Sequence, residues 1–512
     1  MKTKYILGTA VALALMASSC DLDYEPLGEY SDITEGVTAD PSEEEEIVFN
    51  TRAEVESYMT SLYQLLKNRQ EHWYLDLLLV AEAHSDNAYA GTTGAEVVPF
   101  EDNAIDGSNS VIERDWDRYM ADAATATKMI VNIDKVADNS LTQDEINSYR
   151  GQAELFRDLI WFNMIRLWGS VPIITTVAGN ITAENIEDSY SAYFPPQTSE
   201  LEAYQAVEKD LLDALQYAPD PNAGDKTILS KNVARALLAK LYAEKPLRDY
   251  EKVIKYVDEL AANGCDLVAD YAELFGVDGP VKDGFTATPL ASNTKESILE
   301  VHYPTGSGNW ASWMFGRPLE NWDYSFTWAK WVTPSRDLVA AYDSENDAIR
   351  KNESIVWYSC TWSNYYPSDN YAFMYKCRSG YSNDIKLRYA DLLLIKAEAL
   401  LMGRRDLEGA AAIIDTVRAR VNLPKLAASV RGNFDSLFNA YVKERRLELA
   451  MEGQRWFDLC RLDLVEQVMN AVYAKDPGRH AQRNPFNANS YRMPIPQNVL
   501  DSNDNLVQNP GY

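Results

Sequence analysis

Between residues 310 and 362 the sequence concentrates side chains suited to gripping a flat, hydroxyl-rich molecule. Trp310, Trp313, Trp322, Trp328, Trp331, Trp357 and Trp362 fall there, seven of the chain's twelve tryptophans, where an even spread would place about one. Tyr303, Tyr324, Tyr358, Tyr365, Tyr366, Tyr371, Tyr375 and Tyr381 lie in or beside the same stretch, interleaved with Asn309, Asn321, Asp323, Asn364 and Asp369. A sugar ring presents flat C–H faces and a rim of hydroxyls. An indole or phenol offers a rigid face with little rotamer entropy to lose, and the amides and carboxylates offer hydrogen bonds. Trp331, before Val332, and Trp357, after Ile355 and Val356, have the apolar neighbours of core residues. Trp310, Trp313, Trp322 and Trp362 stand among Gly, Ser and Asn and are expected nearer the surface. The site expected from this stretch is Trp310, Trp313, Trp322, Tyr324, Trp328, Trp362, Tyr365 and Tyr366.

Covalent chemistry has little support. The chain has no Gly-x-Ser-x-Gly elbow, phosphate-binding loop, His-Glu-x-x-His pair or paired Cys-x-x-Cys. His72, His84, His302 and His480 are scattered singly. Asp501-Ser502-Asn503-Asp504-Asn505 is rich in oxygen but lacks the Gly and terminal Glu of a calcium loop, and reads as a solvated turn. No metal or cofactor is expected. A glycoside hydrolase, which needs two carboxylates across a cleft, stays open as a different class in so acidic a chain. With 48 basic and 77 acidic side chains the formal charge is −29. Phosphate backbones would be repelled, so nucleic acid is excluded as a partner.

The first residues set the compartment. Lys2 and Lys4 precede an apolar run from Tyr5 to Met16, then Ala17-Ser18-Ser19 and Cys20. This is the layout of an export signal, too short for a spanning helix, with the cysteine placed for lipid attachment after cleavage. Residues 1–19 are read as the signal and 20–50 as a flexible tether carrying the acidic run Glu43 to Glu46. The body, 51–512, is read as one unit. Cys265, Cys360, Cys377 and Cys460 fit no zinc spacing and suit buried thiols or one or two disulfides.

The elements that must position the aromatic stretch are mainly helical. Periodicity places helices near 52–69, 72–83, 111–137, 144–168, 198–217, 228–245, 249–263, 386–402, 406–421 and 433–452. From Leu155 to Trp168 the pattern is apolar nearly all round, so that helix must lie between others. Two hairpins look alike. Arg235–Ala243 before Asp249–Ile254, and Leu392–Leu400 before Asp406–Ala411, each join two helices with small inner residues through a polar turn, the plan of a tetratricopeptide unit. Helical repeats are therefore expected within 52–263 and 386–452. The glycine-, proline- and aromatic-rich 264–385, without helical period, is expected as a loop-rich insertion that binds ligand.

Five strings in order along the chain carry a resemblance. They are Arg166-Leu167-Trp168-Gly169-Ser170-Val171-Pro172; Ser230-Lys231 through Ala239-Lys240-Leu241-Tyr242; Leu387-Arg388-Tyr389-Ala390-Asp391; Glu444-Arg445-Arg446-Leu447-Glu448-Leu449-Ala450 through Glu452-Gly453-Gln454-Arg455-Trp456-Phe457-Asp458; and Met493-Pro494-Ile495-Pro496 with Asn509-Pro510-Gly511-Tyr512. Together with Cys20 they resemble the SusD/RagB family of Bacteroidetes outer-membrane lipoproteins. The resemblance implies four tetratricopeptide-like helix pairs cradling a loop-rich, aromatic-rich remainder with little β structure. It implies a lipid-anchored cell-surface protein that captures oligosaccharides, or peptides in some members, without cleaving them. The implied partner is a SusC-like TonB-dependent outer-membrane transporter. It also points to the loop His84–Gly91, where Asp86, Asn87 and Tyr89 are candidate contacts. The charged string Arg445, Arg446, Glu448, Glu452, Arg455 and Asp458 is expected to lock the last helices to the repeats rather than to touch ligand.

Overall fold

In the computed structural model the description covers residues 49–92, 94–177, 193–277, 288–304, 308–317 and 330–512; Cys20 and the acidic run lie outside it. Each long helix starts where a short polar side chain can satisfy the free N–H groups of its first turn. Thr51 caps α1 (Arg52–Asn68) and Asn109 caps α2 (Ser110–Asn132). Thr142 and Glu145 form a reciprocal capping box on α3 (Gln143–Trp168), and Ser199 caps α4 (Glu200–Tyr217). α5 (Lys231–Leu241) stops short of the expected 245 because the chain turns into a 3-10 segment, Lys245–Leu247, built around Pro246. Asp249 then starts α6 (Tyr250–Ala262).

Later in the chain come α7 (Tyr389–Glu398), α8 (Leu407–Arg420), α9 (Phe434–Leu449), α10 (Arg455–Arg461) and α11 (Val465–Lys475). α9 ends before the expected 452 because Met451 and Gly453, at φ +64° and +73°, reverse the chain. The helix expected at 72–83 begins and ends in wide π turns, Glu71–Leu75 and Leu79–Ala83, around Asp76–Leu78.

The helices pack as a series. α3 lies between α2 and α4, and every residue from Gly151 to Trp168 is buried, as its all-round apolar pattern requires. α5 packs on α4, α6 on α5, α7 on α6 and α8 on α7. The two look-alike hairpins, far apart in sequence, thus become neighbours. Tyr250 Oη donates to Glu398 at 3.1 Å, and Lys240 and Lys396 pair with Asp391 and Asp258. Ile47–Tyr512 forms one compact unit.

Among the described residues, five short strands lie between α6 and α7 and one between α1 and α2; they pair as antiparallel ribbons. β1 (Ala88–Ala90) pairs with β3 (Val332–Pro334), β2 (Ser297–Val301) with β6 (Asp384–Arg388), and β4 (Ile355–Tyr358) with β5 (Tyr371–Met374). The chain is mainly helical with little strand. Cys265, Cys360, Cys377 and Cys460 are buried thiols outside any disulfide.

The charged string of α9 and α10 holds these parts together. Glu448 receives Arg350, Arg388 and Arg420, and Arg445 joins Asp391 of α7 to Asp458 of α10. All of these side chains are buried, so removing one partner strands a charge at a cost of about 3–5 kcal/mol.

Candidate aromatic binding platform

Trp310 and Trp313 sit on one short helical turn, Ala311–Met314, with Trp310 as its N-terminal residue. Trp313 N and Met314 N both donate to Trp310 O, at 3.0 and 2.8 Å. Residues three apart on such a turn share a face. The opposite face, Ala311 and Phe315, is completely buried, while Trp310 and Trp313 are 45% and 41% exposed. The other tryptophans behave differently. Trp73, Trp116, Trp161, Trp168 and Trp456 are buried, and Trp331, Trp357 and Trp362 are half-buried against the core. Among the described residues, these are the two tryptophans with exposed side chains.

The turn is held from several sides. Gln70, itself buried, donates through Nε2 to Gly308 O at 2.9 Å and accepts Trp310 N on Oε1 at 2.8 Å. Asn309 donates to the carbonyls of Gly380 and Ser382 and accepts Ala311 N. Lys330 Nζ donates to Trp313 O at 2.5 Å, and burial pulls that ammonium down to about 7. Gly316 packs so closely that a Cβ there would stand 2.8 Å from Met374 O and 3.0 Å from Cys377 O. Arg317 lies over the rings of Tyr358 and Phe373, each 5.3 Å away. The platform is therefore seated on the β4–β5 ribbon and on the π turn at Glu71–Leu75. Nothing in the periodicity of 310–314 marks Gln70 as its anchor, because the two are 240 residues apart.

Trp322, Tyr324 and Trp328, with Asn321 and Asp323, lie outside the described residues. Trp362 rests edge-on against Tyr371 and Phe373, with centroids 5.8 and 6.1 Å away. Tyr365 and Tyr366 depart from the expectation of surface contacts. They are only 5% and 7% exposed, and their hydroxyls stand 2.8 Å from Glu101 Oε2 and 2.9 Å from Pro334 O. Burial pushes both phenols far up.

Asp86, Asn87 and Tyr89 need the same correction: all three are interior. Arg455 grips both oxygens of Asp86, at 2.7 and 2.9 Å, and Arg446 adds a third contact at 3.1 Å. Burial alone would raise the Asp86 carboxyl, yet Arg446 and Arg455 hold it well below the usual carboxylate range. Asn87 bridges Glu82 and Arg446. Tyr89 stacks on Tyr365 at 4.4 Å and 3°, and its hydroxyl donates to Asp476 at 2.6 Å. A polar loop sequence gave no sign of burial here, because the residues that cover it, Arg446, Arg455 and Asp476, come from α9 onward.

Comparisons with known proteins agree with this architecture. Residues 36–243 match the family model described as "Starch-binding associating with outer membrane", and residues 344–512 match that of the SusD family. SusD-like protein P2 of Formosa agariphila is 25% identical, over 99% of this chain and 100% of that protein. A SusD-like protein of Bacteroides ovatus is 22% identical, over 90% and 82%. Among solved structures, a SusD superfamily protein from Bacteroides vulgatus superposes with a TM-score of 0.71 at 19% identity, covering 91% of this chain and 100% of that one. A protein described as a laminarin-binding SusD-like protein gives 0.67 at 21%, covering 91% and 100%. Surface glycan-binding protein A from Bacteroides fluxus gives 0.69 at 20%, covering 90% and 100%. No helix of the described residues is long and apolar enough to cross a membrane. Two stretches of the sequence, 36–243 and 344–512, match SusD-type family models, and the full-length relatives and the helical fold are similar to SusD-like proteins throughout.

Proposed function

We propose that this protein captures an extracellular glycan on the Trp310–Trp313 platform and passes it, uncleaved, to a SusC-like TonB-dependent transporter in the outer membrane. The observation that carries the reading is a pair of adjacent indoles, each over two-fifths exposed, on a turn whose backbone is clamped from Gln70, Asn309 and Lys330. Exposed indoles are poor for solubility and good for stacking on sugar faces. A pre-set turn also lowers the entropy lost on binding. Relatives described as laminarin-binding and surface glycan-binding support the ligand class. The lipid on Cys20 would keep the body at the cell surface, since several acyl chains together anchor firmly.

The test is affinity electrophoresis of the protein from residue 21 onward through gels carrying plant, host or microbial polysaccharides. Retardation by one polysaccharide class, with no reducing sugar released on prolonged incubation, is the expected result. Silence across the panel would move the reading to a peptide ligand, and release of reducing sugar would replace it with a hydrolase.

A further inference from the structure

A cavity of about 110 Å³ opens beneath the π-turned stretch at Trp73–Leu78, walled by α3, α5 and β6. Its lining carries Arg166, Lys240, Lys376 and Lys386 against Asp384 and Glu452, a cationic wall in a chain of formal charge −29. The lysines are already matched. Lys240 pairs with Asp391, Lys376 with Glu452, and Lys386 with Asp384 at 2.5 Å.

Arg166 is not matched. Its Nη2 donates to the Asn163 amide oxygen at 2.6 Å, and its Nε has no partner among the described residues. No carboxylate of the described residues makes an ion pair with it, whereas the buried Arg350, Arg388, Arg445 and Arg461 are each in contact with at least two. The guanidinium is about nine-tenths buried and is fixed by the rings of Phe162 and Phe457, 4.4 and 4.0 Å from Cζ.

Arg166 also borders a second void of about 40 Å³, shared with Lys245, Arg461, Arg492, Glu200 and Glu244. There Lys245 pairs with Asp463 and Arg492 with Glu200. Glu244 is the remaining acid, and burial pushes its carboxyl up against the pull of Arg166, Arg461, Arg492 and Lys240.

A buried guanidinium with no carboxylate in ion-pair contact keeps an unpartnered Nε–H that an anion's oxygen can accept from. We propose that the space beside Arg166 is a binding site for one small oxyanion, a monocarboxylate or inorganic phosphate. The larger void has room for such an ion with a water or two, at about 30 Å³ per water. The site would be separate from the tryptophan platform, and its occupation would stabilise the packing of α3 and α5 against α10.

Isothermal titration of the purified protein with sodium acetate, and separately with sodium phosphate, tests this against sodium chloride at matched ionic strength. The expected result is saturable binding of at least one oxyanion and a rise in Tm that chloride does not reproduce. Arg166→Met should weaken that binding at least tenfold, while Trp310→Ala should leave it unchanged. Should Arg166→Met fail to fold, Leu77→Trp, which fills the cavity from its half-buried wall and keeps the charge, should abolish binding instead. Absence of saturable binding by both oxyanions, or binding that survives in the folded variant, would overturn the site.

Discussion

An indole face in water contributes little to folding and much to binding. Trp310→Ala and Trp313→Ala should therefore each weaken glycan binding by about 1–3 kcal/mol, by analogy with nucleobases stacked on aromatic side chains. Stability should fall by less than the about 3–5 kcal/mol lost with a fully buried tryptophan, because each indole is over two-fifths exposed. Calorimetric titration beside thermal melts separates the two effects. Asp86 should behave in the opposite way. Asp86→Ala strands Arg455 in the interior and leaves Arg446 only Asp337, so the expected loss of about 3–5 kcal/mol appears in the melt. A variant with wild-type Tm and lost affinity would return Asp86 to the binding site. Glu154 gives a pH signature. Burial, with Asp210 nearby, pushes its carboxyl up to about 8 against the pull of Arg157. The folded state holds that proton more tightly than the unfolded chain, so the stability is fully present below the unfolded value. It is lost as pH rises from there through about 8. Glu154→Gln should thus melt higher than wild type near pH 9, by about 1–3 kcal/mol, with the gap closing toward low pH. Parallel curves would contradict the assignment.

At the scale of elements, helix starts and the buried character of α3 were legible, because caps and apolar periodicity act locally. The kinship of the two hairpins was legible too, since alanines at their inner faces admit close packing. What the sequence hid was long-range cover. The loop at Asp86–Tyr89 looks polar, yet guanidiniums from α9 and α10 bury it. Tyr365 and Tyr366 look like their neighbour Trp362, yet carbonyl and carboxylate acceptors inside the body hold their hydroxyls. Trp310 and Trp313 were legible as surface residues from their Gly, Ser and Asn surroundings, but their clamp was not. Gln70→Ala removes two hydrogen bonds to that turn. It should weaken glycan binding about three- to tenfold, in line with one or two modest hydrogen bonds. In a Trp310→Ala background the same change should have little further effect. Full additivity of the two losses would show that Gln70 acts elsewhere.

For the whole molecule, the charge of −29 suits a body that keeps its distance from anionic surfaces, and the lipid proposed on Cys20 would supply its attachment. Capture by stacking and neutral hydrogen bonds should be nearly independent of ionic strength, which binding titrations at low and high salt would read directly. A steep salt dependence would instead mark an ionic contact. The most direct test of the account is titration of the polysaccharide class retained in the gels against wild type and a Trp310→Ala/Trp313→Ala double variant of unchanged Tm. The account predicts that the double variant loses at least about thirtyfold in affinity. Undiminished affinity in the folded double variant would contradict the platform as the place where this protein meets its ligand.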